Sequence, residues 1–295
     1  MNPDILSVKD LSRSFGRKKA VDGLNFTAAR GEVIGLLGRN GSGKTTFFKL
    51  ILDMLDPDSG EILAAGISPD GSGRIRQEIG YVPERPTFHG YMNVMETLKL
   101  RAAIYKKWDM SKAVSTAAKL GLSLDREIQG MSKGETAKLA WICAVSHNPV
   151  LLLLDEADSG LDYLVKEKII EGLIGELVSA DKTIVLASHM MENFIGIIDK
   201  LSVISRGSVQ GTYDGETLRS SVYRVTARIK PGTTVASVPD ARLISEDGPV
   251  KVFGVIGESG LKSLSGLEIF ESVQSEKMSE AEAFTLLLSG TQEEL

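Results

Sequence analysis

At 295 residues, of which 42% are hydrophobic, the chain is long enough to bury a full core and to hold one large domain beside a smaller one. Its 34 basic and 39 acidic residues leave a formal charge of −5, which argues against a nucleic-acid-binding surface. No apolar run approaches bilayer-spanning length, the first ten residues lack the regions of a secretory signal, and the single cysteine, Cys143, excludes an internal disulfide, so a soluble chain in a reducing cytoplasm is expected.

Taken in order, residues 5–8, 24–28 and 33–37 read as strands, with a turn-rich segment at 12–22 that holds Phe15. An aromatic in such a segment either stacks on a nucleotide base or anchors the loop in the core. The third strand delivers Gly38, Arg39, Asn40, Gly41, Ser42, Gly43, Lys44 and Thr45, which fit the pattern of a glycine, four free residues, then Gly-Lys-Thr. Behind them, residues 46–55 carry Phe47, Leu50, Ile51 and Met54 at helical spacing, so the loop lies between a strand and a helix. The glycines let the backbone curl until successive N–H groups point inward, and the helix N-terminus adds partial positive charge. That is a cradle for phosphate. Lys44 is placed to bridge the outer phosphates, and the Thr45 hydroxyl to ligate the magnesium ion (Mg2+) that accompanies them.

A turn at 56–60 leads to a strand at 61–65, and a short strand at 79–82 is broken by Pro83 just before Glu84. Residues 85–147 then change character, with helical patterns and few strand signals, and read as a helical insert. Within it, Met131-Ser132-Lys133-Gly134-Glu135 opens a helix through Val145, and Ser132 with Glu135 forms a capping box, which by itself implies no ligand. Cys143, among Trp141, Ile142, Ala144 and Val145, reads as a small buried hydrophobe. Five apolar residues at 150–154 suit a strand buried on both faces of a parallel sheet, ending in Asp155 and Glu156 at the tip where such sheets bind ligands. Because neighbouring strand residues face opposite sides, Asp155 is expected to serve a metal and Glu156 a water. A turn at 159–162, a helix at 163–178 and a strand at 183–187 follow, the last ending in Ser188 and His189. Strand-like stretches at 222–229, 242–245, 250–256 and 268–273, then a capping box at Ser279 and Glu282 opening a final helix, read as a small α+β appendage that carries most of the net negative charge.

In their order and approximate spacing, the phosphate loop, the turn at 81–84, the segment 131–135, the strand end at 151–156, the turn at 159–162 and His189 resemble those of ABC-type ATPase domains over roughly residues 4–215. The resemblance implies an α/β fold, a P-loop ABC ATPase domain with a mostly parallel sheet core, an antiparallel β subdomain and a helical insert at about 85–147. That domain would span 1–215, with the accessory domain at 220–295. It implies an ATP hydrolase whose nucleotide is held by Phe15, Val21, Gly38, Arg39, Asn40, Gly41, Ser42, Gly43, Lys44, Thr45 and Thr46. Ser132 and Gly134 would meet the ATP of a second chain, and Asp162 would lie in the dimer contact. Thr45, Glu84 and Asp155 would hold magnesium, and Glu156, His189 and Lys44 would carry the chemistry.

Two positions depart from the family's pattern. Glu84 stands where a glutamine is usual, and Met131-Ser132-Lys133-Gly134-Glu135 replaces Leu-Ser-Gly-Gly-Gln. Glu135 places negative charge near the two phosphate-meeting positions, and Lys133 is the cation expected to offset it. The partners implied are a separately encoded membrane permease, docked near residues 84–91, and a second ATPase chain, as a homodimer. Such a chain would sit at the inner face of the cell membrane, driving export. A reading of another class, a soluble ABC ATPase that remodels a macromolecular complex, is disfavoured by the single phosphate loop and the lack of sustained heptads.

Overall fold

A two-residue turn at Gly16 and Arg17 folds β1 (Asp4–Phe15) back onto β2 (Lys18–Ala29), with Phe15 opposite Lys18. These strands belong to a computed structural model that describes residues 4–157, 182–189, 191, 194, 196–233 and 241–289. The segment at 12–22, expected to be turn-rich, is therefore mostly strand. Register shifts between Val8 and Ser14 absorb its irregular sequence, and the Ser12 hydroxyl accepts a hydrogen bond from Gly23 N at 2.9 Å. Across β1 lies β4 (Ser59–Ala64), giving a three-stranded antiparallel sheet in the order β2-β1-β4.

The second sheet is built on β3 (Val33–Leu37), β5 (Ile79–Val82), β6 (Leu151–Asp155) and β7 (Thr183–Ser188), parallel in the order β5-β6-β7-β3. Every residue of β3, β6 and β7 is buried, as continuous apolar runs covered on both faces require. The registers align Val82 with Leu154, Asp155 with Ala187 and Leu37 with Ser188, so all four strands end along one edge. Strands β8 (Lys200–Ser205) and β9 (Ser208–Asp214) follow, joined by a two-residue turn at Arg206 and Gly207.

Helix α1 (Lys44–Ile51) follows the phosphate loop and buries Phe47, Phe48, Leu50 and Ile51 in a core shared with Ile34, Leu36, Leu151 and Leu153. Each such side chain contributes about 1.5–3 kcal/mol on burial, so the loop is anchored at its helical end. The helix stops short of the expected residue 55. Asp53 takes a left-handed backbone with φ of 56° and Met54 is 48% exposed, so its helical spacing is coincidental.

The insert contains α2 (Val94–Ile104), α3 (Met110–Lys119) and α4 (Lys133–Val145). Each begins with a side-chain cap: Asn93 with Glu96, Asp109 to Lys112 N, and Ser132 with Glu135. Cys143 is buried in α4, and its thiol is pushed up to about 11 by loss of solvent. The turn expected at 159–162, with Asp162, and the helix at 163–178 lie outside the described residues.

By internal contacts the chain forms two compact units, residues 1–189 with 204–210, and residues 190–203 with 211–295. In the second, β10 (Val222–Ile229), β11 (Ala241–Asp247), β12 (Val250–Ile256) and β13 (Phe270–Lys277) form an antiparallel sheet in the order β11-β12-β10-β13. Val225, Ala227, Phe253, Val255 and Phe270 make its core, joined by Leu264 from a helix at Gly257–Ser265. That helix escaped sequence reading because its glycines and serines resemble a loop, although Leu261 and Leu264 share one face.

Candidate active site

The phosphate loop curls because its backbone reaches conformations that only glycine adopts without strain. Gly41 and Gly43 have φ of 83° and 112°, and a Cβ on Gly43 would lie 2.4 Å from the Ala20 carbonyl oxygen. Gly38 is equally confined, 2.6 Å at a Cβ from the Ile204 oxygen, and its N–H donates to Ser188 O at 3.2 Å. The loop is thus tied to the tip of β7.

Lys44 is 5% exposed and folds back over this loop. Its Nζ donates to the carbonyls of Gly38 at 2.5 Å and Arg39 at 3.4 Å, and lies 3.3 Å from Oε1 of Glu156. The last distance is that of an ion pair without hydrogen-bond alignment, since Glu156 Oε1 has no hydrogen-bond partner.

At the end of β6 the two carboxylates separate. Asp155 is the last strand residue, with Oδ2 accepting from the Tyr81 hydroxyl at 3.3 Å and Oδ1 buried without a hydrogen-bond partner. Loss of solvent raises its carboxyl above the usual range, while the nearby Thr45 hydroxyl, the Tyr81 hydrogen bond and the charge of Lys44 pull it back. The same burial, with Asp155 alongside, raises the Tyr81 phenol. Glu156 lies beyond the strand, with φ of 48° and its N–H donating to Ala187 O at 2.8 Å. The strand thus ends at Asp155, and Glu156 enters a left-handed turn in which its carboxylate takes partners of its own. Glu156 Oε2 lies 2.7 Å from His189 Nδ1 and accepts from the Ser188 hydroxyl at 3.3 Å.

A cavity of about 270 Å³ opens above these groups, lined by Phe15, Lys18, Ala20, Asn40, Gly41, Ser42, Gly43, Lys44, Thr45, Thr46, Glu84, Asp155 and Glu156. Phe15 is 48% exposed, and the Arg13 guanidinium sits 5.3 Å from its ring centre. The loop therefore presents an aromatic face at the mouth of the cavity instead of anchoring it in the core. Glu84 reaches the cavity and pairs with Arg85 at 3.5 Å. Gly38 and Arg39 take part through their carbonyls. Val21, within β2, is fully buried in the core and does not line the cavity, to which Ala20 and Lys18 of the same strand contribute. Ser132 and Gly134 do not line this cavity; they open α4, where Ser132 Oγ accepts from Glu135 N at 3.1 Å and Glu135 Oε2 from Ser132 N at 2.8 Å. Lys18, Tyr81 and Ser188 were missed as site residues, although Ser188 could have been found from its place before His189 at a strand tip.

Residues 21–159 match the ABC transporter family. The chain is 34% identical over 218 residues to YhaQ of Bacillus subtilis, an uncharacterized ABC transporter ATP-binding protein, across 70% of this chain and 71% of YhaQ. It is also 34% identical over 211 residues to Nod factor export ATP-binding protein I of Ralstonia nicotianae, across 69% of this chain and 65% of that protein. Among solved structures, an ATP-binding subunit of an ABC transporter aligns with a TM-score of 0.67 at 27% identity, covering 73% of this chain and 92% of that one. Fold, site and relatives agree: the chain belongs to the ATP-binding proteins of ABC transporters, with the P-loop ABC ATPase fold.

Proposed function

We propose that this protein binds and hydrolyses ATP to energise a separately encoded membrane permease in export. The observation that carries the reading is Glu156, buried at the cavity floor between Lys44 and His189. A carboxylate so held can orient a water and accept its proton, while Lys44 offsets charge on the outer phosphate. His189 holds the base through Nδ1. Phe15 stacks on the base of the nucleotide, and the amides of residues 40–46 cradle its phosphates.

Magnesium suits the donor set, because Asp155 offers a buried oxygen without a partner beside the Thr45 hydroxyl, with Glu84 at the cavity wall. Bound by Thr45, Asp155 and Glu84, it would neutralise phosphate charge.

Ser132 and Gly134 complete the site of a second copy, making the active form a homodimer, with residues 1–215 as the ATPase and 220–295 as an accessory domain. Among the described residues no helix is long and apolar enough to cross a membrane. The permease docks at residues 84–91, where Tyr91 is 79% exposed, and holds the protein at the inner membrane face. Similarity to a Nod factor export protein supports the direction.

The test is co-expression with a membrane protein from a neighbouring gene, followed by detergent purification and phosphate-release assays with and without magnesium. The permease should retain the wild-type chain, release Tyr91→Asp, and leave magnesium-dependent hydrolysis measurable. Retention insensitive to Tyr91→Asp, or hydrolysis without magnesium, would overturn the respective part.

A further inference from the structure

At the start of α4 a carboxylate sits where a phosphate is to be received. Glu135 is locked to Ser132 by both bonds of the capping box, so its charge cannot swing away without opening the helix end. Left alone, that charge would offset the partial positive charge of the helix N-terminus and repel an incoming anion.

It is not left alone. Arg126 Nε lies 2.8 Å from Glu135 Oε1 and Nη2 lies 3.4 Å from Oε2, a forked pair, while Nη2 also donates to the Gly130 carbonyl at 2.7 Å. The guanidinium therefore holds both the carboxylate and the turn leading into Ser132. Its own backbone is fixed, because Val94 N donates to Arg126 O at 3.0 Å and Met95 N to Leu124 O at 2.9 Å at the first turn of α2. Lys133 was the cation expected to offset Glu135; the structure gives that place to Arg126. A guanidinium can chelate a carboxylate and a carbonyl at once, whereas an adjacent lysine on the helix cannot follow that fork.

We propose that Arg126 is a positioning residue for ATP hydrolysis: by neutralising Glu135 and fixing Gly130, it keeps the Ser132 end of α4 able to receive the γ-phosphate held by a second copy. This inference rests on the homodimer reading above. In it, Glu135 stands in for the uncharged residue usual at this position only because Arg126 completes it.

The test is a mutant cycle in the full-length protein, with ATP affinity measured by calorimetry and turnover by phosphate release. Arg126→Gln should leave ATP affinity within about twofold, since the phosphate loop is untouched, and lower kcat by about tenfold or more. Arg126→Gln combined with Glu135→Gln, which keeps the cap but removes its charge, should recover most of that loss. Arg126→Lys, which keeps the charge, should fall less than Arg126→Gln. No recovery in the double variant, or equal losses in the Lys and Gln variants, would overturn the charge role. Ser132→Arg separates the two readings: it should bind ATP and fail to turn it over, and normal turnover there would overturn the homodimer site itself.

Discussion

Lys44 and Glu156 form a buried ion pair, with Nζ 3.3 Å from Oε1 and both side chains more than nine-tenths buried. The pair joins the phosphate loop after β3 to the tip of β6, so in the proposed reaction the cation for the phosphates and the carboxylate for the water are set by one another. Removing one member leaves the other buried and uncompensated. Lys44→Ala is accordingly expected to weaken ATP binding by more than tenfold, or about 1.4 kcal/mol, and to lower stability by about 3 kcal/mol. Calorimetry and denaturant unfolding check both, and unchanged ATP affinity would remove Lys44 from the site.

His189 is half exposed, and its Nδ1 lies 2.7 Å from Glu156 Oε2. In the proposed reaction it orients Glu156, so His189→Ala is expected to slow turnover by about ten- to a hundredfold with little change in ATP affinity. Loss of affinity with unchanged kcat would place His189 in binding instead.

Gly43 makes the loop possible. At φ of 112°, with the Ala20 oxygen 2.4 Å from where a Cβ would stand, Gly43→Ala must shift backbone against backbone. The expected cost is about 1–3 kcal/mol, read as a lower melting temperature together with weakened nucleotide binding. Full binding by this variant would mean that the curled loop is not required.

The contact between Arg126 and Glu135 has a signature in acid. Hydrogen bonds from Arg126 and from Ser132 hold the Glu135 carboxyl at about 2, below its ordinary 4.5. A carboxyl lowered on folding contributes stability that is fully present above the unfolded value and is lost as pH falls through the folded one. Glu135→Gln should therefore flatten the fall of unfolding midpoint between about pH 5 and pH 2. An identical acid profile for the variant would show that this pair adds nothing to stability.

What the sequence discloses is mostly what neighbours along the chain decide. The phosphate loop dictates its own curl through Gly41 and Gly43, and the leucines of β6 admit only a strand buried on both sides. Where a second segment decides, pattern fails. Met54 keeps helical spacing, yet the chain turns out of α1 at Asp53. Glu156 is expected to continue the alternation of the strand, yet it leaves β6 in a left-handed turn pinned to Ala187. The Tyr81 bond to Asp155 spans 74 residues, and no local pattern announces it. Arg126 was legible only as a cation upstream of Glu135, without the turn at Gly130 that brings them together.

The central claim is that Glu156 is the base for ATP hydrolysis and not merely the buried partner of Lys44. Single-turnover hydrolysis by Glu156→Gln, with ATP affinity measured on the same preparation, tests it most directly. The amide keeps the shape of the side chain and removes its capacity to take a proton, so the expected result is ATP bound at least as tightly and cleaved about a hundred- to ten-thousandfold more slowly. Cleavage at a near-normal rate with ATP bound would contradict the account and place the base elsewhere.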